Sequence, residues 1–469
     1  MRITALAGGI GAARFLRGLL VHLAAESVDP RPAGRGSTGG PAGVPADITV
    51  IGNTGDDVTL HGLRICPDLD TVMYTLGGGV CESQGWGRAG ETHEVAAELR
   101  RYGTGPGWFG LGDRDVATHL VRTSLLARGH GLADVTATLC ERWRPGVRLL
   151  PMTEDRVETH VVVEREPLRA ARRRADAADR AGPDDRGRHP SGRAVTAKPA
   201  GAEKNDQLRD REAPGSPERG TQDRDMGAPS PYGPGAERDF MRTGPWPDDD
   251  HNETIGNTAH HSAGRESREP AAGPAGVPGT GFDEEDEESA RYEKIHFQEW
   301  WVRLRAGVPA REIVALGAAR SRPAPGVLEA IAAADVVLLP PSNPVVSIGT
   351  ILSVPGIREA VRDCRAPVVG VSPIVGGAPV RGMADACLAA RGLPTTAGAV
   401  AGLYADFLDG WLVDERDAGT RPAPSPSRPR GPVVRALPLL MSDPQEAARI
   451  AGQALRLATE LRADGPVDS

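Results

Sequence analysis

The chain has 469 residues, a formal net charge of −8 and a pI near 5.8, which gives no electrostatic basis for binding nucleic acid or an anionic membrane surface. Its 59 glycines and 41 prolines are too many for one compact fold, and they concentrate in particular stretches. The five cysteines are scattered with no CxxC pair, which excludes a zinc ribbon and a disulfide framework and fits a reducing compartment.

From the N-terminus, RITALAG (2–8) reads as an apolar strand, followed by a glycine turn and the helix-period stretch GAARFLRGLLVHLAAE. This start is too short and glycine-broken for a signal peptide. No run approaches ~20 apolar residues, so a cytoplasmic protein without a membrane span is expected. A glycine- and proline-rich loop (Asp29 to Asp47) precedes a second strand, ITVIGN (48–53), and ATHLVRTSLLARG reads as a later helix. THVVVE (Thr159 to Glu164) and KIHFQEWWVRLRA (Lys294 to Ala306) are β-rich flanks suited to antiparallel pairing.

Between those flanks, the only aliphatic side chains larger than alanine in 165–290 are Leu168, Val195, Leu208, Ile255 and Val277. Such a stretch cannot bury enough apolar surface to offset ~1–2 kcal/mol of backbone entropy per residue, so a disordered insertion is expected. HNETIGNTAHH (His251 to His261), with its three histidines, reads as solvated linker rather than a metal site.

After the insertion, IVALG (313–317), DVVLLPP (335–341), PVVGVSP (367–373) and WLVD (411–414) are strand candidates, each nearly continuous in apolar residues. Helix-period segments GVLEAIAAA, MADACLAARG and PQEAARIAGQALRLATELRA alternate with them. The expected fold is α/β: a Rossmann-like doubly wound parallel sheet with a smaller inserted α/β subdomain. Residues 1–164 and 291–469 would form one catalytic domain, split by the insertion.

In such a fold the chemistry lies in loops beyond the carboxyl ends of the strands. The opening turn matches G-x-G-x-x-G at Gly9 and Gly11 but carries Arg14 at the sixth position. A turn of this kind presents N–H groups to a phosphate at a helix N-terminus, and Arg14 adds a charge. The second strand ends in IGNTGDD, followed by RICPDLD, which sets Asp56, Asp57, Asp68 and Asp70 at one edge. Crowded acids need a cation, donors or solvent. Mg2+, a polyhydroxylated ligand and plain helix capping are all open. WFGLGDRDVATHLVR holds Trp108, the Asp113–Arg114–Asp115 turn, His119 and Arg122. The later loops PPSNPVVSIGTIL and VSPIVGGAPVRGMAD contribute Ser342, Asn343, Ser347, Ser372 and Arg381. The aromatic HFQEWWV segment suits a planar ligand or, equally, the core. There is no Walker lysine motif, GxSxG or HExxH.

Taken together and in order, AGGIGAARFL, NTGDD, HGLRICPDLDTVMYTLGG, WFGLGDRDVATHLVR, VETHVVV, IHFQEWWVR, PPSNPVVSIGTIL, SPIVGGAPVRGMAD and LDGWLVDE resemble the 2-phospho-L-lactate transferase family of coenzyme F-420 biosynthesis, in its actinobacterial, phosphoenolpyruvate-transferring form. The resemblance covers nearly all of the chain outside 165–290. It implies transfer from enolpyruvyl-diphospho-guanosine to the deazaflavin Fo, giving dehydro-coenzyme F-420-0 and GMP, with Mg2+ and as a homodimer. Gly8, Gly9, Gly11, Arg14, Ser342, Asn343 and Ser347 would cradle the donor. Asp56, Asp57 and Asp70 would hold Mg2+, with Asp56, Asp70 and Arg381 as catalytic candidates. Asp70, Asp57, His119 and Trp108 would contact Fo, and His119, Arg122 and Arg381 would steady the leaving GMP. A lactyl or glyceryl donor, a nicotinamide-dependent oxidoreductase and a non-catalytic nucleotide sensor are the alternatives.

Overall fold

Apolar runs from both ends of the chain meet in one sheet. The computed structural model describes residues 1–28, 46–180 and 291–463. These belong to the unit formed by Met1–Val195 and Phe282–Ser469. A second unit, Thr196–Gly281, falls outside the described residues, as do the His251–His261 tract and the loop at 29–45.

At the centre of the sheet, β1 (Arg2–Ala7) pairs in parallel with β2 (Asp47–Gly52), which pairs with β5 (Arg148–Pro151). On its other side β1 pairs with β9 (Val336–Leu339), followed outward by β10 (Val368–Val371), β13 (Gly410–Val413) and β14 (Val433–Ala436), all parallel. Chain order therefore climbs outward in both directions from β1, and the reversal falls between β1 and β9. A doubly wound sheet opens its ligand crevice at that point. The short edge strands β5 and β14 extend the sheet beyond the runs expected from sequence.

Side chains alternate across the sheet. Ile3, Ala5 and Ala7 of β1 pack with Phe15, Leu16 and Leu19 of α1 (Gly9–Val28) and with Ile450 and Ala451 of the C-terminal helix Pro444–Ala463. Leu6 faces the other way, into a second core with Ile51, Val337, Leu339 and Trp411. The helices of the first face approach closely. A β-carbon on Gly18 would lie 2.3 Å from the Ala447 carbonyl carbon. Further helices along the first half are α2 (Pro67–Leu76), α3 (Glu94–Arg101), α4 (Asp113–Ala127) and α5 (Leu132–Trp143).

A separate three-stranded sheet has the order β7-β6-β8, with β6 (Glu158–Glu164), β7 (Tyr292–His296) and β8 (Ala310–Leu316) all antiparallel. The expected pairing of the insertion's flanks is present, with Glu164 opposite Tyr292. Two expectations need correction. The IVALG run lies in β8 of this small sheet and not in the parallel one, and β8 keeps several exposed positions, as fits a strand covered on one face. Residues 165–180, expected to be disordered, form helix α6 (Arg165–Arg180). Leu168, Ala171, Arg172, Ala175 and Asp176 recur at helical spacing, and Leu168 is fully buried. Arg172 binds Glu293 at 2.7 Å and Glu299 at 2.8 Å, while Arg303 pairs with Asp176. All five cysteines are free. Among the described residues no helix is long and apolar enough to cross a membrane.

Candidate active site

The loops after β1 and β9 touch at the reversal point. The Gly8 N–H donates to Ser342 Oγ at 3.2 Å. A β-carbon on Gly8 would lie 2.6 Å from Asp68 Oδ2 and 2.8 Å from Ser347 Oγ, so only glycine fits between the two loops and α2. Gly9 takes φ 71°, and its N–H donates to Asp68. The glycine turn expected to cradle a phosphate thus already holds an anion of its own, the Asp68 carboxylate. Gly11 serves packing, since a β-carbon there would lie 2.1 Å from the Pro341 carbonyl oxygen. The Asn343 side chain is likewise internal: its Oδ1 accepts from Val345 and Val346 N–H, and its Nδ2 donates to Cys387 Sγ at 3.5 Å.

The four aspartates separate into two pairs. On α2, positions 68 and 70 are about 200° apart, at 3.6 residues per turn, so their side chains leave opposite sides of the helix. Asp70 makes a two-pronged bond to Arg122 of α4, with Nη1 at 3.1 Å from Oδ2. Asp57 accepts from Arg64 Nη2 at 3.0 Å. Burial still pushes Asp57 up to about 7, although Arg64 and Arg122 oppose the shift. Asp68 accepts from Asn53 Nδ2 at 2.9 Å, and burial raises it to about 6. Asp56 is raised well above the usual carboxylate range by burial, then by the charges of Asp68 and Asp57. Its Oδ1 is buried without a hydrogen bond. No cationic side chain among the described residues bonds to Asp56 or Asp68.

Beneath Asp70 a buried network continues. Arg122, 1% exposed, also contacts His119 Nδ1 at 3.1 Å. His119 Nε2 lies 3.4 Å from Asp115 Oδ2, and Tyr74 Oη donates to Asp115 Oδ1 at 2.6 Å. His119 is itself 1% exposed, so it braces Arg122 where a direct ligand contact was expected. The neighbouring acids are caps: Asp113 accepts from Glu94 and Val95 N–H at the start of α3, and Glu91 accepts from Arg114 and Asp115 N–H at the start of α4. Trp108 sits half-buried before α4 with its ring edge-on to Phe109. Phe297 and Trp300 are buried core aromatics, which leaves the half-buried Trp301, stacked on Phe297, as the exposed face of that segment.

The expected metal set of Asp56, Asp57 and Asp70 is not assembled, because Asp57 and Asp70 are committed to arginines. Among the described residues, no group of three or more His, Cys, Asp or Glu is placed to hold a metal ion. What remains suited to a hard cation is the Asp56–Asp68 pair, which has no cation of its own; Asp56 Oδ1 is orphaned there, as is Asp57 Oδ1 beside it in sequence. Asp68 is the functional candidate that the site assignment passed over. Its signal was the two-residue spacing from Asp70, which on a helix separates rather than groups them.

Residues 3–169 and 283–424 match the family described as 2-phospho-L-lactate transferase CofD. Proteins named phosphoenolpyruvate transferase from Thermobifida fusca and Streptomyces coelicolor are 46% and 44% identical to it over 465 and 463 residues, each covering 98% of this chain and 99% of theirs. This chain belongs to the CofD family. A Mycobacterium avium relative with the same name is 37% identical at the same coverage. As a member of the CofD family the protein is a transferase, and Gly8 through Asp70, Arg122, Ser342 and Arg381 all lie in the family-matched segments, whereas 170–282 does not. A crystal structure from Bacillus halodurans of the UPF0052 family covers 97% of this chain and 98% of its own at 12% identity, with a TM-score of 0.43, too low to bear on the site.

Proposed function

We propose that this enzyme transfers the phosphoenolpyruvate moiety from enolpyruvyl-diphospho-guanosine to the terminal ribityl hydroxyl of Fo, giving dehydro-coenzyme F-420-0 and GMP in coenzyme F-420 biosynthesis. The names of the relatives support the moiety transferred. The observation that carries the reading is the uncompensated Asp56–Asp68 pair at the β1–β9 reversal, beside the glycine turn. Phosphoryl-type transfer needs in-line positioning and charge neutralisation more than a covalent nucleophile.

Asp56 and Asp68 would hold Mg2+, which when bound would neutralise phosphate charge. The Fo hydroxyl oxygen forms a bond to the phosphorus bearing the enolpyruvyl group. The bond from that phosphorus to the bridging oxygen breaks, and its electron pair leaves on GMP. The hydroxyl proton passes to a carboxylate of the cluster. Arg64 and Arg122 fix Asp57 and Asp70, so that the strand–helix edge stays rigid as charge moves. Fo, each of the enolpyruvyl and lactyl guanylyl donors, and Mg2+ would be incubated with wild type and Asp56→Asn, and the products weighed by mass spectrometry. The expected result is the dehydro-F-420-0 mass from the enolpyruvyl donor, absent with EDTA and in the variant. Product from the lactyl donor alone would reassign the donor, and no product from either would sink the reading.

A further inference from the structure

The main chain that carries Asp56 is gripped from the small antiparallel sheet at three consecutive carbonyls. The Gly55 carbonyl accepts from the Thr159 N–H of β6 at 2.6 Å, the Asp56 carbonyl from Gln298 Nε2 at 3.4 Å and the Asp57 carbonyl from His296 Nε2 at 3.2 Å. His296 ends β7, and its Nδ1 accepts from the Gln298 N–H at 3.1 Å. A donor at one ring nitrogen and a carbonyl at the other select the neutral Nε2–H tautomer, so the ring donates to the loop. Thr159 and Gln298 are buried, and His296 is half-buried. Asn53 holds the same loop with its side chain. Its Oδ1 accepts from the Gly55 N–H at 2.9 Å, and its Nδ2 donates to Asp68 and to the Val346 carbonyl at 3.2 Å. Gly55 itself is pinched, since a β-carbon there would lie 2.5 Å from Thr350 Cγ2 and 2.8 Å from Thr159 Oγ1.

The Gly55 and Asp56 carbonyls belong to the peptide planes on either side of the Asp56 α-carbon. Fixing both planes fixes φ and ψ of Asp56, and with them the direction in which its side chain leaves the backbone. That matters at this residue, because Asp56 Oδ1 has no hydrogen bond of its own to hold it. We propose that Gln298 and His296 are positioning residues, which lock the Asp56 and Asp57 peptide planes and so aim the Asp56 carboxylate at the cation position it shares with Asp68. The inference rests on the transferase reading for the role of that pair. A misplacement of about 1 Å costs roughly 10²-fold in rate, so two neutral donors acting only through the main chain can govern turnover. The grip sits at one end of the β6–β7 hairpin, where His160 faces His296. Glu164 and Tyr292 face each other four residues further along β6, about 13 Å away, so the connection to the insertion leaves from the far end.

The test is titration of Mn2+ into the full-length protein, followed by electron paramagnetic resonance, beside turnover of Fo with the enolpyruvyl donor and Mg2+. Gln298→Met keeps the side-chain length and loses the donor, and His296→Leu loses the ring N–H. Each should weaken Mn2+ by about tenfold and lower kcat by about 10- to 100-fold, with KM for Fo within twofold of wild type. His296→Gln, which keeps an amide donor for the Asp57 carbonyl, should recover most of both losses. In an Asp56→Asn background, Gln298→Met should lower kcat little further, because the residue it aims is already disabled. A merely structural role would instead give the same fold-loss in both backgrounds, and that result overturns the proposal. So does Mn2+ affinity within twofold of wild type in both Gln298→Met and His296→Leu, or a wild type that binds no Mn2+. If wild type converts Fo and the two variants bind Mn2+ as it does, the positioning role fails and the transferase reading stands. If no donor yields product but the two variants weaken Mn2+ and His296→Gln restores it, the transferase reading fails and the positioning of the acid pair stands.

Discussion

Asp57 and Asp70 each end on an arginine, Arg64 and Arg122, whereas Asp68 ends on Asn53 and the Gly9 N–H and Asp56 meets no cation and is repelled by the Asp68 and Asp57 charges. Both pairs are buried and belong to the same two segments of chain, so local sequence does not separate them. Their counter-charges do. A buried carboxylate beside its own guanidinium has its charge met within the fold, even where one oxygen stays unbonded as Asp57 Oδ1 does, while one without a cation must take up a proton or have its charge met by a ligand. In the transferase mechanism proposed above, the first pair is architecture and the second is site.

The largest effect should come from the uncompensated pair. Asp56→Asn and Asp68→Asn should each lower kcat by about 10³-fold or more, through loss of charge that neutralises the transferred phosphate. Because each removes a buried charge that has no cationic partner and leaves an amide oxygen to accept hydrogen bonds, neither should lower the denaturation midpoint. A marked fall in stability would mean the pair is structural after all. Arg122→Met should behave in the opposite sense. It strands Asp70 and should cost ~3–5 kcal/mol of stability, read from urea denaturation. A change below 1 kcal/mol would show that the Asp70 pair is not the architectural one.

A smaller contrast concerns the insertion. Deleting 182–289 and closing the chain with a flexible linker of about a dozen residues, enough to span the roughly 24 Å length of α6, should leave both activity and melting temperature near wild type, since the family match skips 170–282. Extending the deletion back to 166 removes the buried Leu168 and the Arg172 bonds to Glu293 and Glu299, and should lower the melting temperature by several degrees. Equal melting temperatures would make α6 dispensable.

The smallest effect is a pH dependence at His296. Its Nδ1 accepts from the Gln298 N–H at 3.1 Å and its Nε2 lies 3.2 Å from the Asp57 carbonyl oxygen, a pattern that suits the neutral ring. Burial, more than any neighbour, lowers its pKa from the usual 6.5. The unfolded chain then binds a proton that the folded one refuses. This contribution to stability is present above pH 6.5 and is lost as pH falls below it. His296→Gln should melt with a shallower pH slope than wild type between pH 7 and 5. An unchanged slope would place the titration elsewhere.

Much of the frame was legible in the sequence because buried parallel strands write continuous apolar runs, as in ITVIGN and DVVLLPP. RLLP and VVRA were not, since four-residue edge strands carry too little pattern to stand out from the loops around them. IVALG was read as a strand but given to the wrong sheet, because an apolar run does not announce its partners. In the site, the acids were visible as a group but their division was not. That division depends on Arg64, from the hairpin of Val58–Leu60 and Leu63–Ile65, and on Arg122 of α4, which only the fold brings to Asp57 and Asp70. The same holds for the glycine turn, where the sequence shows a place for an anion but not that Asp68 supplies it.

The register of β6 and β7 sets Glu164 directly opposite Tyr292, so the two strands that flank the extra chain end a single strand spacing apart, with α6 running on from Glu164. For a flexible connection, each doubling of length costs only about 0.6 kcal/mol of closure entropy, so a site of this kind tolerates added length. The hairpin is thus a splice port. A fluorescent reporter or an affinity module whose own termini lie close together should be accommodated there, on the small antiparallel sheet, without rewiring the sheet that carries the chemistry.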